Sequence, residues 1–184
     1  MRIIAGEFRS RRLRAPKGLD IRPTPDLLRQ ALFNVLGRRV EGAVFVDAYA
    51  GTGAVGLEAL SRGAARVVFI ERAAAAVALI RANAAALNVT PRCLIVQGAA
   101  AALAARYPAD IVFLDPPYPL RAEYGRTLEE LGRTPPALAV VQHDRRHELQ
   151  ETYGQLRRTR TLTYGDNCLT FYSPAPPVPE PAQG

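Results

Sequence analysis

Val44-Phe45-Val46-Asp47-Ala48-Tyr49-Ala50-Gly51-Thr52-Gly53-Ala54-Val55-Gly56 decides the fold of this 184-residue chain. Its three leading apolar residues predict a buried strand, which Asp47 ends. A loop of small residues follows, and Val55, Leu57, Ala59 and Leu60 then restore an apolar helical pattern. Glycines in such a loop let backbone N–H groups approach a ligand closely, at a helix N-terminus that favours negative charge. A carboxylate or a phosphate suits that end. Asp47 asks instead for a cation or an amine. A ligand with both an α-amino and an α-carboxylate group, such as a methionine moiety, meets both demands.

Downstream, Arg66-Val67-Val68-Phe69-Ile70-Glu71 is a second predicted strand that ends in an acid. A carboxylate about 20 residues beyond a glycine loop can take both hydroxyls of a ribose, so the ligand is of adenosine type. Gly51-Thr52-Gly53-Ala54-Val55-Gly56 also matches the literal dinucleotide pattern. That reading makes the chain a dinucleotide-dependent oxidoreductase. Asp47 opposes it, because it would face a pyrophosphate unfavourably, and the chain has no second glycine-rich half.

A third stretch separates the two ligands. Ile111-Val112-Phe113-Leu114 predicts a buried strand, and Asp115-Pro116-Pro117-Tyr118 follows at its carboxyl end, where ligands of open α/β sheets bind. Asp115 can accept hydrogen bonds from an amino group. The prolines fix the backbone so that a carbonyl points the same way. Tyr118 can stack on a ring. An extruded base is held by this combination of edge hydrogen bonds and stacking. S-adenosyl-L-methionine explains both motifs; a dinucleotide explains only one.

From Val44 onward strands and helices alternate. Strands are predicted at 43–47, 66–71, 93–97, 110–115 and 137–142, and helices at 54–62, 73–87, 99–106 and 121–132. The alternation predicts a mostly parallel sheet with helices on both faces. Residues 155–164 and 168–172, joined across Gly165-Asp166-Asn167, predict a closing antiparallel hairpin. At the start, residues 2–5 and 11–15 can pair as a β-hairpin across Gly6-Glu7-Phe8. Thr24 is placed to cap a first helix, with Pro25 at its first position. Residues 173–184 hold five prolines and read as a disordered tail. The division is thus a basic hairpin and helix at 1–40, a catalytic domain at 41–172 and the tail.

The net charge is +7, and residues 1–40 carry all of it, since the other residues balance 14 basic against 14 acidic side chains. A localised basic patch is the footprint of a phosphate-backbone partner. Arg9, Arg11, Arg12, Arg14, Arg22 and Arg29 are the candidate RNA contacts. No apolar run is long enough to span a membrane and no signal peptide is evident, and Cys93 and Cys168 read as reduced and structural, so a cytoplasmic monomer is expected. His143 and His147 could pair on a helix, but no third metal ligand accompanies them and none is expected.

The chain resembles the RsmD-type 16S rRNA (guanine(966)-N(2))-methyltransferase family. Arg2-Ile3-Ile4-Ala5-Gly6, the segment from Arg22-Pro23-Thr24 to Phe33-Asn34, the loop from Asp47, the tetrapeptide from Asp115 and Tyr164-Gly165-Asp166 carry the likeness. The resemblance implies a Rossmann-like, S-adenosyl-L-methionine-dependent methyltransferase fold. Its mostly parallel seven-stranded sheet would carry an antiparallel C-terminal hairpin and a small N-terminal β-hairpin and helix. It implies methyl transfer to a guanine 2-amino group in 16S ribosomal RNA, free or in a small-subunit assembly intermediate, with S-adenosyl-L-homocysteine as product. Asp115, Pro116, Pro117 and Tyr118 would be catalytic. Asp47, Tyr49, Ala50, Gly51, Thr52, Gly53, Glu71, Gly98, Ala99 and Asp115 would hold the donor. Ala99 departs from the pattern, because it cannot accept a hydrogen bond from the adenine amino group. An adenine N6 methyltransferase acting on DNA or RNA is the alternative, since the clamp suits either base.

Overall fold

A computed structural model describes residues 1–15, 26–117 and 120–176. Among the described residues five α-helices and eight strands follow in chain order. They are α1 (Asp26–Leu36), β1 (Val44–Ala48), α2 (Ala54–Ser61), β2 (Arg66–Glu71), α3 (Ala74–Ala86), β3 (Cys93–Gln97) and α4 (Ala100–Leu103). Then come β4 (Ile111–Leu114), α5 (Arg121–Arg133), β5 (Leu138–Asp144), β6 (Thr152–Tyr153), β7 (Leu156–Tyr164) and β8 (Asn167–Pro174). All strands join one sheet in the order β3-β2-β1-β4-β5-β8-β7-β6. The first five are parallel and the last three antiparallel. The order reverses between β1 and β4, the switch point where such sheets take ligands.

Parallel strands covered by helices on both faces are apolar throughout, and β1, β2, β4 and β5 are buried along almost all their length. Alternate residues feed two cores. Phe45, Phe69 and Phe113 pack toward α1 and α2. Val46, Val68 and Val112 pack toward α4 and α5. Gly56 sets the distance of α2 from the sheet: a Cβ there would lie 2.3 Å from Phe69 and 2.8 Å from Val67.

The structure departs from the sequence expectations in four places. Among the described residues the sheet has eight strands, because the two-residue β6 pairs with Leu156 and Arg157, the first two residues of β7; two residues carry no periodicity that a sequence could show. The N-terminal hairpin is shorter than expected: it pairs residues 1–3 with 10–13 through the Arg2–Arg12 bridge and the bonds from the Ile3, Ser10 and Leu13 N–H groups to the Arg11, Ile3 and Met1 carbonyls. Residues 4, 5 and 14 bond to helices instead. Strand β8 continues past residue 172 to Pro174, and Ala175 donates to the Gln155 carbonyl. His143 lies in strand β5, one residue before its end, and His147 lies in the turn beyond it, so no helix carries them. Helix α1 packs Leu28, Leu32, Phe33 and Leu36 into the core that also holds Phe45 and Leu57. The expected cap at Thr24 and Pro25, the contact at Arg22, the ring of Tyr118 and the tail beyond 176 lie outside the described residues.

Candidate active site at the carboxyl ends of the strands

Three carboxylates converge where β1, β2 and β4 end. Asp47 is buried, and its Oδ2 accepts from the Gly56 N–H at 2.8 Å, which ties the strand end to the first turn of α2. Burial holds its carboxyl well above the usual carboxylate range; the Gly56 bond opposes this, and the charges of Asp115 and Glu71 add to it. Glu71 accepts from the Gly51 N–H with one oxygen and from the Ala73 N–H with the other, each at 2.8 Å. Each carboxylate oxygen keeps a further lone pair. Asp115 is half-buried at the end of β4.

The glycine loop is clasped from several sides. The Ala50 N–H donates to the Ile70 carbonyl, and the Gly53 N–H to the Ala50 carbonyl at 2.7 Å. Gly51 and Gly53 sit at φ of 52° and 76°, left-handed conformations in which a side chain is strained. Tyr49 also has φ of 69°. Its hydroxyl bonds Thr127 Oγ1 at 2.6 Å and Glu123 Oε2 at 3.0 Å, so the side chain braces α5 and only its backbone faces the loop. The Thr52 hydroxyl points at the Met1 sulfur, 3.8 Å away. The Gly98 N–H donates to the Glu71 carbonyl, and Ala99 offers a methyl group and backbone at the start of α4.

The Asp115 loop is fixed at two carbonyls. The Leu120 N–H donates to that of Pro117 at 2.8 Å, and the buried Tyr124 hydroxyl donates to that of Pro116 at 3.4 Å. The Tyr124 ring is held in turn against His147, centroids 4.6 Å apart. His143 is committed elsewhere: Nε2 meets Thr170 Oγ1 and Nδ1 meets the Asp144 carbonyl. Among the described residues no group of three His, Cys, Asp or Glu side chains could hold a metal. Likewise no helix among them is long and apolar enough to cross a membrane. A cleft of about 730 Å³, lined by Glu41, Asp110 and Thr159 among others, opens at the opposite end of the strands and is separate from these carboxylates.

The basic arm is anchored by side chains that sequence reading passed over. Glu58, on α2 and fully buried, accepts from the Ile4 and Ala5 N–H groups. Ser61 accepts from the Phe8 N–H and donates to the Ala5 carbonyl. Asn83, buried on α3, pairs with both the N–H and the carbonyl of Arg14. Polar residues on otherwise apolar helix faces were the available signal. Arg9, Arg11, Arg12 and Arg14 stay exposed, though Arg11 also donates to the last-turn carbonyl of Ala86. Arg29 does not belong with them. Its side chain is completely buried and donates to the Arg2 carbonyl at 2.7 Å and to Asp26 at 3.0 Å, with Glu58 3.8 Å from its Nε. A guanidinium with no exposed surface cannot meet a phosphate, so Arg29 holds the arm.

The family model described as Conserved hypothetical protein 95 matches residues 1–173. A Bacillus subtilis (strain 168) protein named "Putative rRNA methyltransferase YlbH" is 36% identical across 94% of this chain and 98% of its own length. "Ribosomal RNA small subunit methyltransferase D" of Escherichia coli (strain K12) is 40% identical, over 64% of this chain and 60% of that protein. The solved structure "Putative methyltransferase yhhF from Escherichia coli" superposes with a TM-score of 0.83 at 30% identity, covering 95% of this chain and 97% of the other. The sheet with its β1/β4 switch point is therefore a Rossmann-like methyltransferase fold, and the chain belongs to the Conserved hypothetical protein 95 family, the RsmD-type family.

Proposed function

We propose that this protein transfers a methyl group from S-adenosyl-L-methionine to the 2-amino group of a guanine in small-subunit ribosomal RNA. The observation that carries the reading is the convergence of Asp47, Glu71 and Asp115 around a glycine loop at the switch point. An acid held well above its usual pKa, first by burial and then by two acidic neighbours, marks a place where positive charge is welcome. The donor's ammonium and sulfonium supply that charge. The residues present fit it. Asp47 would face the ammonium, the backbone of residues 49–53 the carboxylate, Glu71 the ribose, and the backbone at Gly98 and Ala99 the adenine. When bound, the donor supplies an electrophilic methyl group.

An exocyclic amino group is a poor nucleophile because its lone pair is shared with the ring. Asp115 and the Pro116 carbonyl would each accept one of its protons, and this localises the lone pair on nitrogen. The Tyr124 hydroxyl occupies one lone pair of that carbonyl, which leaves the other for the amine. The sequence assigns Tyr118 to stacking on the base. Positioning and electrostatics thus carry the rate, and Asp115 takes the proton once the new bond has formed. The exposed arginines at 9, 11, 12 and 14 hold phosphates and do not read sequence.

The protein, incubated with methyl-labelled donor and 16S rRNA or small subunits, should label RNA. Nucleoside mass spectrometry should show N2-methylguanosine; N6-methyladenosine would move the assignment to the adenine reading. Asp115→Ala should lose at least about 100-fold in turnover, the cost of removing one group that stabilises the reacting centre, and still bind the donor. Unchanged turnover would remove Asp115 from the chemistry.

A further inference from the structure

We propose that the outer edge of β7 is a second contact surface for the RNA, with Arg157 and Arg160 on its phosphates. The inference rests on the reading of the substrate as RNA. Strand β7 stands next to last in the sheet, and its only outer neighbour, β6, pairs with Leu156 and Arg157 alone. Arg158 adds one bond, to the Glu151 carbonyl. Beyond it, among the described residues, no strand covers the outer side of β7. Residues 155–164 contain three arginines, three threonines, two leucines and a tyrosine, but no acid. Leu162 and Tyr164 pack on the core. Arg157, Thr159, Arg160, Thr161 and Thr163 are exposed.

The three arginines are not equivalent. Arg158 is ion-paired to Glu151, whereas Arg157 and Arg160 form no ion pair among the described residues. A bulge between Arg158 and Arg160 displaces the ladder there, and bulges re-aim side chains at such edges. The three threonine hydroxyls are bonded to β8, which leaves guanidinium forks and backbone N–H groups as the phosphate ligands. The strand also leads to the right place. Asn167 pairs with Tyr164 on one side and Asp144 on the other, so β7 ends beside the carboxyl end of β5, on the rim that holds Asp115. Arg157, paired with Ser173, and Arg160, paired with Phe171, stand in the half of β7 away from that rim, so a nucleic-acid backbone held by them runs along the strand, roughly 13–23 Å at about 3.3 Å per residue, to reach the site where its base is methylated.

Arginines on an exposed edge also guard against strand addition by another chain. Guarding needs charge of either sign, whereas phosphate binding needs positive charge, and one double variant separates the two. Arg157→Glu with Arg160→Glu should raise the Kd and KM for the RNA at least about tenfold. It should also flatten the slope of log K against log salt by about 1.4, two phosphate contacts at ~0.7 each. Donor Kd and Tm should match the parent protein. RNA affinity and salt slope equal to the parent's would overturn the proposal and leave the arginines as edge guards. A change in oligomeric state with RNA affinity unchanged would overturn it in favour of a protein partner. Should the double Glu variant melt early, Arg157→Gln with Arg160→Gln, compared with the double Lys variant, applies the same criterion: Gln must weaken RNA binding and Lys must restore most of it. Parent protein that labels no RNA at all would instead refute the substrate reading itself.

Discussion

At the residue scale, Asp47 shows how a site is built against stability. Its carboxyl is buried beside two acids, so its folded pKa lies above the ordinary value of about 3.9. For a group shifted in that direction, the ionised form costs stability above the folded pKa, and the cost disappears as pH falls toward the unfolded value. Asp47→Asn should therefore melt higher near neutral pH, by about 1 kcal/mol or more, roughly 2–4 °C in Tm. It should bind S-adenosyl-L-methionine at least about tenfold more weakly, because the ammonium loses its charged partner. Melting and calorimetry with the free protein check both signs. Calorimetry on the parent protein should also show donor affinity falling on acidification through the Asp47 range. A variant that binds the donor as tightly as the parent refutes the assignment.

At the scale of elements, the arm and the helices it crosses act as one unit. Gly6 sits at φ of 84°, and a Cβ there would fall 1.9 Å from the Ser61 carbonyl oxygen. The Glu7 N–H donates to that same oxygen at 2.7 Å. Gly6→Ala must push the arm off α2 and break the bonds to Ser61 and Glu58. Hydrogen exchange should speed up at the Ile4, Ala5, Glu7 and Phe8 amides. RNA affinity should fall at least about fivefold, the worth of one or two lost hydrogen bonds at about 1 kcal/mol each, with donor affinity unchanged. Protected amides in the variant would show that the arm docks by other means.

For the molecule as a whole, Arg29 joins the arm, α1 and α2. Burial lowers its pKa, while Asp26 and Glu58 act to restore it. Glu58 is equally buried, with Arg62 as its other partner at 2.8 Å. Arg29→Ala leaves that carboxylate short of a partner and empties a large side-chain volume. The expected cost is about 3–5 kcal/mol, visible as a fall in Tm of the whole cooperative transition. Arg29→Lys should recover only part of it, because both bonds come from Nη2 at the far end of the guanidinium, beyond the reach of the shorter lysine side chain. A Tm within a degree of the parent's would show that the buried pair carries no stability.

The alternation of strand and helix, the glycine loop and the strand-end acids were legible in the chain, because each is a local pattern with a local cause. Periodicity marks burial, glycine marks a turn, and a carboxylate after an apolar run marks the end of a strand. Strands at 66–71 and 93–97 coincide with β2 and β3. Three-dimensional packing alone decided the rest. Arg29 and Arg12 are the same residue type within one basic segment, yet one is sealed against Glu58 and the other stands in water. Net charge beyond residue 40 sums to zero, yet folding leaves Arg157 and Arg160 together on an open strand edge. Burial and the lateral order of strands are set by contacts between residues far apart in sequence, so no local pattern records them.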